Sequence, residues 1–100
     1  MADEIRITHP MLKVLRAFMA DPKAKISGAE ITRDAHIKSG TLYPILARLE
    51  KAGWLASDWE RAEASALGRP RRRLYRITAA GQRAAIAAFS DIGVGTEAFA

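Results

Sequence analysis

Ser39-Gly40-Thr41-Leu42-Tyr43-Pro44-Ile45-Leu46-Ala47-Arg48-Leu49-Glu50-Lys51-Ala52-Gly53 decides the fold. Leu42, Ile45, Leu46 and Leu49 recur at i, i+3, i+4 and i+7, which sets four apolar side chains on one face of a helix running to Ala52. Gly40, Pro44, Ala47, Arg48 and Lys51 fall on the other side. Ser39 is placed to cap the helix start, and Gly53 to stop it. The outer face suits a polyanion. Ser39, Gly40 and Thr41 are small enough for close approach, and the unpaired N–H groups of the first turn attract anions. Arg48 and Lys51 add charge further along.

Upstream, Ser27-Gly28-Ala29-Glu30 forms a capping box that opens a short helix to about Ala35, with Ile31 and Ala35 inward. His36-Ile37-Lys38 then makes a tight turn. Before it, Thr8 caps a first helix, and Pro10 is tolerated in its opening turn, where an N–H has no partner. Met11, Val14, Leu15 and Phe18 give that helix its core stripe, and Asp21-Pro22 ends it. Leu12 and Met19 lie about a quarter-turn off the stripe at ~100° per residue, a second apolar face open to a partner.

Downstream, Trp54 to Glu60 and Arg72 to Ile77 read as strands, joined by a long loop from Arg61 to Arg71. Tyr75 and Ile77 alternate with arginines, and Gly68 and Pro70 bound the run as turn residues do. Thr78 caps a fourth helix to about Phe89, anchored by Ile86 and Phe89. The tail from Gly93 to Ala100 is too short for a second domain.

Arg69, Arg71, Arg72, Arg73 and Arg76 occupy this second strand and its approach. Without them the remaining Lys+Arg balance the Asp+Glu, so one segment holds the whole net charge of +5. Such concentration marks a site for a polyanion, and nucleic acid is the commonest one. Alternation turns some of these arginines toward the protein, so not all five reach a ligand. Helix, short helix, tight turn, helix and two-stranded hairpin is the order of a winged helix-turn-helix, an α+β fold that is mostly α. In it the second motif helix enters the major groove and the wing reaches flanking backbone.

One hundred residues make one domain, spanning 1–100. The absence of cysteine excludes disulfides, thiolate metal sites and cysteine catalysis, and it fits a cytoplasmic protein. The acidic Met1-Ala2-Asp3-Glu4 start lacks the layout of a secretion signal, and no apolar run nears the roughly 18 residues of a membrane span. His9 and His36 have no ligand-spaced neighbours, so neither reads as a metal ligand. There is no Ser-His-Asp set, no shielded carboxylate pair and no glycine-rich phosphate loop. We expect no enzyme and no cofactor.

The stretch from Ser39 to Leu55 resembles the recognition-helix signature of PadR-type transcriptional regulators. Gly68-Arg69-Pro70-Arg71-Arg72-Arg73-Leu74-Tyr75-Arg76-Ile77-Thr78-Ala79-Ala80-Gly81 is similar to the same family's second wing strand and the start of the following helix. The two motifs stand in the family's order and spacing. The resemblance implies a homodimeric prokaryotic repressor that binds double-stranded DNA and is often released by a small-molecule inducer. Many relatives continue into a long C-terminal dimerisation domain. This chain stops soon after its fourth helix, so we expect a short form dimerising through its terminal helices, about residues 8–20 and 78–90.

These readings assign DNA contact to Ser39, Gly40, Thr41, Tyr43, Pro44 and Arg48 of the third helix, and to Arg69, Arg71, Arg72 and Arg73 of the wing. Tyr43 is lateral on its helix, between core edge and DNA, and the resemblance favours DNA. Pro44 either shapes the helix entry or touches a thymine methyl. Arg69 is the expected minor-groove or backbone arm, and Arg71 to Arg73 the phosphate contacts. Leu12, Met19, Ile86 and Phe89 are the expected dimer interface. Trp54 and Trp59 read as hairpin core, with a planar-ligand site as the alternative. Two other functions compete: a winged-helix protein–protein module, for which the basic wing is superfluous, and a ligand-sensing dimer, which needs an apolar cleft near the tryptophans.

Overall fold

Thr8 opens the first helix in extended backbone, its hydroxyl accepting the Met11 N–H at 3.4 Å. The computed structural model describes residues 6–91; the acidic start and the tail from Gly93 lie outside the described residues. The elements in order are α1 (His9–Met19), β1 (Ile26–Ser27), α2 (Gly28–Ala35), α3 (Ser39–Lys51), β2 (Leu55–Trp59), α4 (Ala64–Leu67), β3 (Arg73–Ile77) and α5 (Ala79–Asp91). The fold is α+β and mostly helical, as expected, with two elements more than the sequence suggests. One is β1, which makes the sheet three-stranded in the order β1-β3-β2, all antiparallel. The other is α4, a single turn inside the wing loop.

Local chemistry accounts for the helix boundaries. The Ser27 hydroxyl accepts the Glu30 N–H at 3.2 Å while the Glu30 carboxylate accepts the Ser27 N–H at 3.0 Å, the reciprocal box that starts α2. The helix ends on His36 in left-handed backbone, φ 55°, which reverses the chain at once and aims α3 across α2. Ser39 is not the cap of α3. Lys38 takes that position with no side-chain hydrogen bond, and Ser39 is the first helical residue. Gly53, at φ 80°, ends the same helix as expected, because few side chains tolerate that backbone. Thr78 caps α5 by accepting the Gly81 N–H at 3.0 Å.

The stripes predicted on α1 and α3 meet in one core. Val14, Leu15, Phe18, Ile31, Leu42 and Leu49 are almost wholly buried, and Leu55 and Ile77 close the core from the sheet. Four expectations about surface residues change. Met19 and Phe89 are buried in the core of the single chain, where α5 packs on α1. Ile86 is no anchor but points out, 38% exposed, while Leu12 is half-buried against the core. Trp54 does pack on the core, but Trp59 stands on the wing at 56% exposure.

Candidate nucleic-acid interface

The first turn and a half of α3 leaves its outer side open. Ser39, Gly40, Thr41, Tyr43, Pro44 and Arg48 are all exposed, while Leu42, Ile45, Leu46 and Leu49 are buried on the opposite side. Pro44 lies inside the helix and has no N–H to offer the Gly40 carbonyl. Tyr43 leans sideways onto the start of α2. Its ring lies so close over Gly28 that a Cβ there would collide with it, so the glycine sets where the tyrosine rests. Half-exposed in that seat, Tyr43 presents its hydroxyl beside the helix start.

Across a cleft of about 440 Å³ stands the wing. Ser27, Gly28 and Tyr43 form one wall, and Trp59, Arg71 and Arg72 contribute to the other. Strand pairing sets Trp59 opposite Arg73 and Ser57 opposite Tyr75, so all four share the face turned to α3. Arg76 falls on the other face, while Arg72 lies just before β3 at the cleft; neither carries a side-chain ion pair among the described residues.

Acidic residues sort the remaining arginines. Arg69 is not a free arm. Both its terminal nitrogens donate to the Glu60 carboxylate, at 2.6 and 3.1 Å, and Glu60 also accepts the Arg72 N–H at 2.8 Å. These bonds close the base of the long loop. Arg71 reaches Glu63 at 2.6 Å, a pair whose carboxylate side is 75% exposed and therefore easily exchanged. Arg73 is held on the inner face: its Nε donates to Ser57 Oγ at 2.9 Å and its guanidinium lies 5.4 Å from the Trp59 ring centre. Glu50, Ser57, Glu60 and Glu63 were not legible as site residues. The sequence signal was slight: Glu60 at the end of the first strand and Glu63 in the loop, both close to an arginine run.

The Arg69 hydrogen bonds, helped by the Arg72 N–H, hold the Glu60 carboxyl well below its ordinary 4.5, at about 2. A depressed carboxylate stabilises the fold fully above its unfolded pKa and loses that contribution as pH falls through the folded one. The loop clamp is therefore expected to be intact at neutral pH and to weaken between pH 4.5 and about 2. An NMR titration of the Glu60 carboxyl checks this, and a midpoint at the ordinary 4.5 would mean that the clamp is not kept in solution.

Residues 27–87, from the capping box to most of α5, match the family model for the transcriptional regulator PadR-like family. The chain belongs to the PadR-like family. AbfR in its disulfide form is similar to this PadR-like chain at 27% identity, over 86% of this chain and 57% of its own, with a TM-score of 0.68. AbfR is a protein of Staphylococcus epidermidis. Its overoxidised form, solved bound to DNA, matches at 25% identity over 86% of this chain and 60% of its own, with a TM-score of 0.63. The protein smu.1704 of Streptococcus mutans UA159 is 27% identical over 84% of this chain and 76% of its own, with a TM-score of 0.65. This chain spans 57% of the length of AbfR in the disulfide form. No curated protein sequence matches it. Among the described residues no helix is long and apolar enough to cross a membrane.

Proposed function

We propose that this PadR-like chain binds double-stranded DNA in a sequence-specific way and works as a homodimeric repressor on a two-fold symmetric operator. The observation that carries the reading is the pairing of surfaces across one cleft. The exposed start of α3 offers small and polar side chains to a major groove, while the wing beside it carries arginines for the adjoining backbone. The DNA-bound form of AbfR supports the same use of the fold.

In this reading Ser39, Gly40, Thr41, Tyr43 and Pro44 meet the groove, and Arg48, Arg71 and Arg72 meet phosphates. Arg69 and Arg73 serve mainly inside the wing, where Glu60 and Ser57 hold them. Leu12 and Ile86 are the apolar residues that α1 and α5 leave for a second copy. A dimer of this kind would address half-sites ~34 Å apart.

Selection from a randomised duplex library, followed by titration of the enriched duplex and a scrambled copy, tests the proposal. Thr41→Ala is expected to keep the fold and to cost about 1–3 kcal/mol against the selected duplex if it loses a base-edge contact. Its affinity for the scrambled copy should hardly change. Failure of the wild-type protein to enrich any sequence would end the sequence-specific reading.

A further inference from the structure

Three elements meet at the hydroxyl of Ser57. Ser57 lies on β2, and its Oγ donates to Glu50 Oε2, near the end of α3, at 2.6 Å. The same oxygen accepts from Arg73 Nε, on β3, at 2.9 Å. Arg73 Nη2 closes the triangle 3.7 Å from Glu50 Oε2, and the flat guanidinium rests 5.4 Å from the ring centre of Trp59. One small hydroxyl thus links the recognition-helix candidate to both wing strands. Glu50 and Arg73 are little more than a third exposed, so water screens this triangle less than an open surface pair.

We propose that Glu50, Ser57 and Arg73 form a brace that fixes the angle between α3 and the wing, which makes Glu50 and Ser57 positioning residues for DNA recognition. The proposal rests on the DNA-binding reading. DNA presents its groove and its flanking phosphates at fixed separation, so a protein that reads both must hold two surfaces at a matching angle. A wing free to swing would have to be ordered on binding, at a cost in affinity. The sorting of arginines gives the same answer from the other side. Arg73 gives its Nε–H to Ser57, holds Nη2 beside Glu50 and lays its flat face toward Trp59, which makes Arg71 and Arg72 the freer arginines for phosphate.

The brace and its rival predict opposite signs. If Arg73 is a phosphate contact and Glu50 a bystander, removing the Glu50 charge reduces repulsion from DNA and tightens binding. If the three form a brace, Glu50→Gln breaks the pair with Arg73 and weakens binding although it removes a negative charge. Ser57→Ala is the cleaner probe, because it alters no charge and removes both hydrogen bonds at once. We expect Ser57→Ala to weaken binding to the duplex that the wild-type protein selects by about three- to tenfold, the coupling usual for one polar network. The salt slope should stay at its wild-type value, since no phosphate contact is lost. Ser57→Thr, which keeps the hydroxyl, should restore affinity. Thermal melting reports whether each variant is folded, and Glu50→Gln serves alone if Ser57→Ala melts early.

Wild-type affinity in folded Ser57→Ala, or tighter binding by Glu50→Gln, overturns the brace while leaving DNA binding intact. If the wild-type protein enriches no duplex, the DNA-binding reading fails first and the brace goes with it.

Discussion

Arg71→Ala and Arg72→Ala together are expected to weaken binding to duplex DNA roughly a hundredfold, whatever its sequence, as two charge-assisted contacts disappear. Arg72 is exposed and its side chain is unpaired among the described residues. Arg71 is held only by the exposed Glu63, a pair worth about 0–1 kcal/mol that a phosphate can replace. The double variant also strands Glu63 as a bare negative charge beside the DNA. Phosphate contacts release counterions, so the slope of log K against log salt should fall by about two units for two lost contacts. Arg69→Ala should behave differently. It frees Glu60 and loosens the loop base, which alters wing geometry before it alters charge. A double variant with the wild-type slope would show that Arg71 and Arg72 are merely solvated.

Leu46→Ala is expected to remove about 2–5 kcal/mol of folding free energy, through lost burial and the cavity left behind. Leu46 is 1% exposed in the core where α3 packs on α1, α2 and β2. Urea denaturation gives the number directly. DNA affinity per folded molecule should stay close to wild type, because the inward stripe never reaches the outer face of α3. A cost below about 1 kcal/mol would mean that the site collapses to fill the space, and that the helix is less firmly seated than its burial implies.

The two faces of α3 were legible because periodicity reports which way a side chain points. Leu42, Ile45, Leu46 and Leu49 inward, with Thr41 and Arg48 outward, needed nothing beyond helical spacing. The capping box at Ser27 and the stop at Gly53 were legible for a similar reason, since both act within a few residues. Periodicity does not report what a side chain meets. Leu12 and Met19 look like one open apolar face along the chain, yet Met19 is buried in the core and Leu12 is half-buried beside it. The arginines of the wing looked interchangeable along the chain, yet Glu50, Glu60 and Glu63 give each of three a different partner. Lys38 stands as cap one residue before Ser39 because its carbonyl already accepts the Leu42 N–H at 2.9 Å, a backbone bond that no side-chain preference announces. Strand β1 was hidden for a simpler reason: two residues cannot display an alternation.

Those two residues also govern whether the β3 side of the sheet invites other chains. Strand β3 is bordered by β2 on one side, and without Ile26 and Ser27 its other side would present unpaired N–H and C=O groups, a template for a foreign strand. Ile26 and Ser27 occupy its middle by pairing with Tyr75 and Leu74. The capping box at Ser27 then turns the chain into a helix at once, so the new border is too short for another strand to grow on. The hydroxyl that starts α2 thereby closes one border of the sheet, and the longer β2 is left to form the other.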